Sequence, residues 1–285
     1  MKELSGNIKA TYEAAIKFAQ AHYENFPVVS FLIPKDLQKH VAIIYWFSRT
    51  ADDFADEGNF TEEERIKKLN EFENRLTQLL NGKPDNNFEV ALKNSIEEKK
   101  LNPAHFYNLL KAFKQDVTKK QYEDFNELLC YCKYSANPVG RLVLELFEIG
   151  DENAFLLSDK ICTALQLTNF YQDVSIDWEN GRIYIPQDEL KKYKVEKIVF
   201  ELKENNLNFK SVLEANVKRT EKLFIEGRGL LKYLNGRLKY EIAWTILGGE
   251  KILNKIKRID YDVLNQRPEL TKIDLSFLFI KSLFI

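Results

Sequence analysis

Val41-Ala42-Ile43-Ile44-Tyr45-Trp46-Phe47-Ser48-Arg49-Thr50-Ala51-Asp52-Asp53-Phe54-Ala55-Asp56-Glu57 is an apolar run that ends in a cluster of acids, with no glycine or proline to interrupt it. Its composition predicts a helix. Asp52 and Asp56 are four residues apart, which places them one turn apart on one face, about 6 Å along the axis. Like charges at that spacing disfavour a helix unless a cation neutralises them. A lone acidic cluster of this kind has an ordinary explanation as a solvated helix end. A second set far downstream, Asn169, Asp173 and Asp177, repeats the spacing at i, i+4 and i+8. We expect two helices that face each other across a pocket and hold metal ions between them.

The second set lies in Gln166-Leu167-Thr168-Asn169-Phe170-Tyr171-Gln172-Asp173-Val174-Ser175-Ile176-Asp177. Gln166, Asn169, Asp173 and Asp177 fall on one face, beside apolar Leu165, Leu167 and Phe170. Burying such polar groups is costly unless they are paired or metal-bound. Asp52, Asp53, Asp56, Asn169, Asp173 and Asp177 offer hard oxygen donors, which suit Mg²⁺, with Mn²⁺ as the alternative. No His or Cys stands at ligand spacing with them, which argues against zinc. The absence of Glu-x-x-His pairs argues against a di-iron bundle. Arg49, Lys133, Arg182 and Arg267 are candidate partners for a diphosphate.

Outward from these stretches the chain reads as helical. Only 11 Gly and 7 Pro in 285 residues leave few breakers. Apolar spacing predicts helices over 8–24, 37–56, from the Thr61/Glu64 capping-box pattern to Leu80, and over 87–99. Another starts at Asn102-Pro103. Helices over 123–133 and 138–149 flank Ser135-Ala136-Asn137-Pro138-Val139-Gly140, where a kink or a close backbone approach is expected. One long helix is expected over 151–178. Residues 182–186 read as a short extended piece without a partner strand. Helices follow over 187–192, 195–204, 208–234, 236–256 and 259–266. No repeat or linker divides the chain, so we expect a single domain spanning 1–285.

Hydrophobic residues make up 45% and charged residues 30% of the chain, the balance of a folded protein. A net charge of -1 supplies no field for nucleic acid. Cys130, Cys132 and Cys162 are too few for a disulfide framework and suggest a reducing compartment. The N-terminus has no secretory pattern, so a cytoplasmic location is expected. The apolar tail, Leu275 to Ile285, is too short to span a bilayer. It reads as a helix packed on the body, or as a peripheral contact with the inner face of a membrane.

The motifs Arg49-x-x-Asp52-Asp53-x-x-Asp56 and Gln166-x-x-Asn169-x-x-x-Asp173-x-x-x-Asp177, followed by Gly181-Arg182-Ile183-Tyr184-Ile185-Pro186, resemble the squalene/phytoene synthase family. His22-Tyr23-Glu24-Asn25-Phe26-Pro27-Val28, Tyr131-Cys132-x-x-Ser135-Ala136-Asn137-Pro138-Val139-Gly140 and Gln172-Asp173-Val174 look most like its bacterial hydroxysqualene synthases. Family members that make phytoene or dehydrosqualene tend to carry Arg where Gln172 stands. The resemblance implies an all-α isoprenoid-synthase fold with a central active-site cavity. It implies an isoprenoid diphosphate as substrate, held by Mg²⁺ on Asp52, Asp56, Asn169, Asp173 and Asp177, with Arg49 and Arg182 neutralising it. His22 and Arg267 join them as substrate-binding residues, as does Gln166. Phe26, Tyr45, Tyr131, Val139, Leu165 and Phe170 are candidates for an apolar lining, and Tyr184 and Asn169 for positioning water or diphosphate. The implied reaction ionises presqualene diphosphate and captures the cation with water. It needs no hydride, and no NADPH is expected, in keeping with the lack of a Gly-rich dinucleotide fingerprint. Condensation of two prenyl diphosphates and a catalytically silent binding role are the alternatives. A silent relative would be expected to have lost motif aspartates, and all are present.

Overall fold

Sparse breakers leave room for long helices, and the computed structural model, which describes residues 2–21 and 30–285 with side chains from residue 8 onward, is built from them. In chain order they are α1 (Lys2–Ala21), α2 (Lys35–Asp56), α3 (Glu62–Leu80), α4 (Asn87–Glu98), α5 (Ala104–Thr118), α6 (Phe125–Ser135) and α7 (Asn137–Leu146). Then come α8 (Glu152–Gln172), α9 (Val174–Glu179), α10 (Gln187–Lys192), α11 (Lys197–Glu201), α12 (Leu207–Gly227), α13 (Gly236–Arg258) and α14 (Lys272–Ser282). Among the described residues, no helix is long and apolar enough to cross a membrane. The chain divides into two compact units, Met1–Thr118 with Pro138–Asp151, and Lys119–Asn137 with Glu152–Ile285.

In the first unit α2 is central. Leu37, His40, Ile44, Phe47, Ala51 and Ala55 recur at three- and four-residue spacing and are buried. Phe47 stacks on Phe72 of α3 at 5.0 Å and meets Phe106 of α5 edge-on at 5.2 Å. A buried polar pin joins α2 to α1 and α4. His40 Nδ1 lies 2.8 Å from the Ser95 hydroxyl, which lies 2.8 Å from the Tyr12 hydroxyl. His40 Nε2 is 3.2 Å from Glu98 Oε1. Ser95, His40 and Glu98 repeat the groups of a hydrolase triad, but His40 and Ser95 are 0% exposed, so no substrate reaches them. They act as a fully satisfied polar core.

The expected capping box opens α3, with Glu64 N donating to Thr61 Oγ1 at 3.2 Å and Thr61 N to Glu64 Oε2 at 2.8 Å. Gly58, at φ +77°, ends the acidic helix as expected; a Cβ there would meet the Phe60 ring at 2.7 Å.

In the second unit α8 packs against α12 and α13. A Cβ at Gly249 of α13 would lie 2.4 Å from the Phe224 ring and 2.9 Å from Leu165, so a glycine is what lets these helices approach. Tyr171 of α8 donates to Asn216 Oδ1 of α12 at 2.8 Å, Asn216 Nδ2 donates to Glu189 Oε2 of α10 at 2.6 Å, and Arg219 pairs with Glu189 at 2.6 Å. Burial pushes the Tyr171 phenol well above its usual range, and the hydroxyl stays a donor.

Five expectations need correction. The long helix over 151–178 is broken at Asp173, which sits at φ -104°, ψ 16° between α8 and α9. The extended piece at 182–186 does have a partner: Ile183 bridges Gln121 in parallel, Ile183 N donates to Lys120 O at 2.9 Å, and Gln187 N to Tyr122 O at 2.9 Å. The expected helix 208–234 stops at Gly227 and continues as a 3-10 turn, Arg228–Lys232. Residues 259–266 form turns, because Asp260 and Tyr261 take φ of 54° and 59°. The apolar spacing there comes from Val263 and Leu264, each 1% exposed, which anchor a loop. The expected kink near Pro138 is a helix break, with Ala136 closing α6 before α7 begins at Asn137.

Candidate active site

The last two turns of α2 carry one acidic motif. Phe47 and Ala51 face the core, so Tyr45, Arg49, Asp52 and Asp56 share the opposite face. Arg49 Nη1 lies 3.2 Å from Asp52 Oδ2, its Nε 2.8 Å from Asp53 Oδ1, and its Nη2 2.5 Å from Glu57 Oε1. The contact to Asp53 is an ion pair without hydrogen-bond alignment, and Asp53 Oδ1 is buried without a donor. Burial works against the charged form of Arg49, and the carboxylates of Asp52, Asp53 and Glu57 outweigh it, holding the guanidinium above its ordinary value.

Four carboxylates stand at a helix C-terminus, where the backbone dipole favours cations instead. Arg65 offsets part of this by donating to Glu57 O at 3.0 Å and Gly58 O at 2.8 Å. This clustering of acids at a helix C-terminus is a local conflict of the kind found at functional sites.

The second motif spans the break between α8 and α9. Gln166 is half-buried, Asn169 is exposed, and Asp173 and Asp177 are half-buried. Asn169 therefore does not bear the desolvation cost that its apolar neighbours suggested. Backbone bonds carry the helical register through the break, from Asp173 N to Asn169 O at 2.9 Å and from Asp177 N to Asp173 O at 2.8 Å. Arg267 grips Asp173 at both oxygens, Nε to Oδ1 at 2.6 Å and Nη2 to Oδ2 at 3.3 Å. The hydrogen bonds that Arg267 donates to Asp173 outweigh partial burial and hold its guanidinium above its ordinary value. Next to it, buried Gln172 donates from Nε2 to Pro268 O at 2.7 Å. Adjacent residues of α8 and the break thus hold adjacent residues of the loop before α14.

Asp177, Arg182, Phe170 and Tyr184 meet around a crevice of about 10 Å³, at the lower limit for one water. Phe170 and Tyr184 stack face to face at 3.6 Å and 7°. Tyr131 lies 6.0 Å from Phe170 and Tyr122 lies 5.7 Å from Tyr184, completing an aromatic wall. Tyr122 escaped the sequence reading because the parallel bridge that brings it here joins segments about sixty residues apart. Of the other expected residues, Tyr45 is half-buried beside Phe18 at 6.1 Å, and Val139 on α7 is exposed. His22 and Phe26 lie outside the described residues. An open groove of about 580 Å³, lined by Glu62, Glu63, Lys67, Asn70, Glu71 and Thr118, contains none of the expected residues, and its acidic rim suits no diphosphate.

The donor set on both motifs is oxygen alone, as a hard divalent cation requires. Among the described residues, no three His, Cys, Asp or Glu side chains converge tightly enough to hold an ion unaided. An ion at either motif would have to complete its shell with ligand oxygens and water, as Mg²⁺ commonly does.

Comparison with known proteins fits this chemistry. Residues 19–274 match the family described as squalene/phytoene synthase. The chain is 32% identical over 256 residues to the hydroxysqualene synthase of Sinorhizobium fredii, covering 88% of this chain and 85% of the relative. It is 31% identical over 254 residues to that of Rhodopseudomonas palustris, with the same coverages of 88% and 85%. Phytoene synthases of Daucus carota and Narcissus pseudonarcissus match at 25% and 26% identity. The crystal structure of the squalene synthase HpnC from Alicyclobacillus acidocaldarius superposes with a TM-score of 0.84 at 34% identity, over 92% of this chain and 97% of that one.

Proposed function

The chain belongs to the squalene/phytoene synthase family, enzymes that act on prenyl diphosphates, and on that premise we propose that it converts presqualene diphosphate and water to hydroxysqualene and diphosphate. The observation that carries the reading is the order of similarity, with hydroxysqualene synthases at 31% and 32% identity and phytoene synthases at 25% and 26%. The family match runs through both compact units, so we read the chain as one catalytic domain.

In this reading Asp52, Asp53, Asp56, Asn169, Asp173 and Asp177 would hold Mg²⁺, or Mn²⁺ in its place. The bound cation supplies positive charge to the diphosphate oxygens. Arg49, Arg182 and Arg267 donate hydrogen bonds to the same oxygens, and with Gln166 and His22 they orient the head group. As the C–O bond breaks, its electron pair leaves with the diphosphate, and the arginines stabilise the developing charge. The cyclopropylcarbinyl cation that remains rearranges against Phe170, Tyr184 and Tyr131, whose rings exclude bulk water. Their π faces add ~0.5–2 kcal/mol each. The family resemblance would add Phe26, Tyr45, Val139 and Leu165 to the apolar lining. One water, oriented by Asn169 and the Tyr184 hydroxyl, adds to the cation and gives up a proton. No electrons are gained, so no reductant enters.

Presqualene diphosphate and farnesyl diphosphate, supplied separately with Mg²⁺ to the pure protein, test the proposal. Hydroxysqualene from presqualene diphosphate alone is expected. Efficient consumption of farnesyl diphosphate would replace this reading with head-to-head condensation, and turnover of neither would point to a binding role.

A further inference from the structure

Helix α14 has two apolar faces, and only one is covered. On the inner face, Leu278 and Ser282 are buried, the Trp244 indole donates to Leu275 O at 3.0 Å, and the Trp244 ring meets Phe279 at 5.5 Å. Asp274 is fixed to α13 by Lys255 at 2.6 Å and Lys251 at 3.3 Å. The helix is therefore docked on the second unit through one side. On the other side Ile273, Phe277 and Ile280, with Phe284 in the turn just past the helix, follow at steps of four, three and four residues as a single stripe, and are 82%, 63%, 56% and 86% exposed. Scattered exposed apolar residues need no explanation, but a contiguous stripe of large ones does.

Charge selects the occupant. At 100° per residue Lys272 and Lys281 project to opposite flanks of the stripe, about a quarter turn from its centre. Both are exposed, and neither flank of the outer face carries an acid, because Asp274 is engaged by α13. An apolar ridge between two lysines is the pattern of a helix lying in a bilayer interface, with its ridge among the acyl chains and its ammonium groups snorkelling to the headgroups. We propose that the outer face of α14 docks this protein on the surface of a bilayer that contains anionic lipid. The inference stands on α14 and is independent of the active-site reading.

Flotation of the full chain with vesicles tests it. Vesicles of phosphatidylglycerol and phosphatidylcholine should carry the protein up the gradient, and pure phosphatidylcholine should carry markedly less. The variant Ile273→Ser/Phe277→Ser/Phe284→Ser removes only exposed side chains, so its helical circular dichroism should be unchanged while its partitioning falls by at least about tenfold. Lys272→Gln and Lys281→Gln should each weaken binding to the anionic vesicles by about fivefold. Leu207→Ser, which alters a comparably exposed leucine on α12, should bind as the parent does. Failure to float with anionic vesicles overturns the proposal. So does equal loss in the Leu207 variant, or light scattering that shows a dimer dissolved by the triple substitution.

Discussion

Arg267 occupies both oxygens of Asp173 at 2.6 and 3.3 Å, so this carboxylate is neutralised before any metal reaches it. A divalent cation binding at Asp173 competes with that guanidinium, and a diphosphate gives the guanidinium somewhere to go. Ion and diphosphate should therefore bind better together than either does alone. Arg267→Gln separates the two contributions. Removing the competing cation should tighten Mn²⁺ binding in the absence of diphosphate, measured by paramagnetic titration. The same change should lower kcat/KM by about 10- to 100-fold, since a hydrogen bond between charged groups is worth ~1.5–3 kcal/mol. Unchanged metal affinity together with full turnover would remove Arg267 from the site. Asp52→Ala and Asp173→Ala should each abolish Mg²⁺-dependent turnover and keep the helical circular dichroism; activity like that of the parent in either would remove the assignment of its motif. Residue types and spacings made these aspartates legible in the sequence. The pairing of Asp173 with Arg267 was not, because it joins positions 94 apart through a loop that was read as helix.

At the level of elements, two contacts set how the helices that carry the motifs are held. His40 pins α2 to α4, and its pKa lies below the ordinary 6.5, chiefly because burial disfavours the charged imidazole, with Glu98 opposing and Lys39 adding to the depression. The unfolded chain takes up this proton near pH 6.5, while the folded chain resists it. His40 therefore has no effect on stability above that pH and lowers stability as pH falls below it, by at most the one-proton limit of about 1.4 kcal/mol per pH unit. Urea unfolding of the parent and His40→Gln at pH 7.5 and 5.5 should show a smaller acid-side loss in the variant. Parallel losses would assign the acid sensitivity to other groups. In the second unit, Gly249→Ala places a methyl 2.4 Å from Phe224, and the overpacking should cost about 1–3 kcal/mol in the same measurement. Periodicity and capping residues made most helices legible, as at Thr61/Glu64 and Gly58. They failed where the backbone departs without a compositional signal. Asp173 breaks a helix whose i to i−4 bonds continue past it, Val263 and Leu264 imitate a helical stripe inside a turn, and the pairing of 120–122 with 183–187 depends on tertiary structure.

Each compact unit of the molecule carries one acidic motif, α2 in the first and the α8–α9 break in the second. Neither is a complete metal site among the described residues. If both serve one Mg²⁺–diphosphate ligand, loss of either motif should remove the whole stabilisation that the ligand gives. If each binds its own ion, loss of one should leave a partial effect. Thermal unfolding distinguishes these cases without turnover. Inorganic diphosphate and Mg²⁺ together, at about a hundred times the dissociation constant, should stabilise the parent by ~2.7 kcal/mol and raise Tm by roughly 5 °C. Mg²⁺ alone should do less, because Arg49 already pairs with Asp52 and Arg267 with Asp173. Asp52→Asn and Asp173→Asn should each abolish the joint shift while leaving the ligand-free Tm within a few degrees of the parent. The double variant should then add nothing further, since two substitutions that break one shared site are not additive. Half the shift surviving in each single variant would mean that the motifs bind independently, and the proposed clamp on a single diphosphate would have to be abandoned.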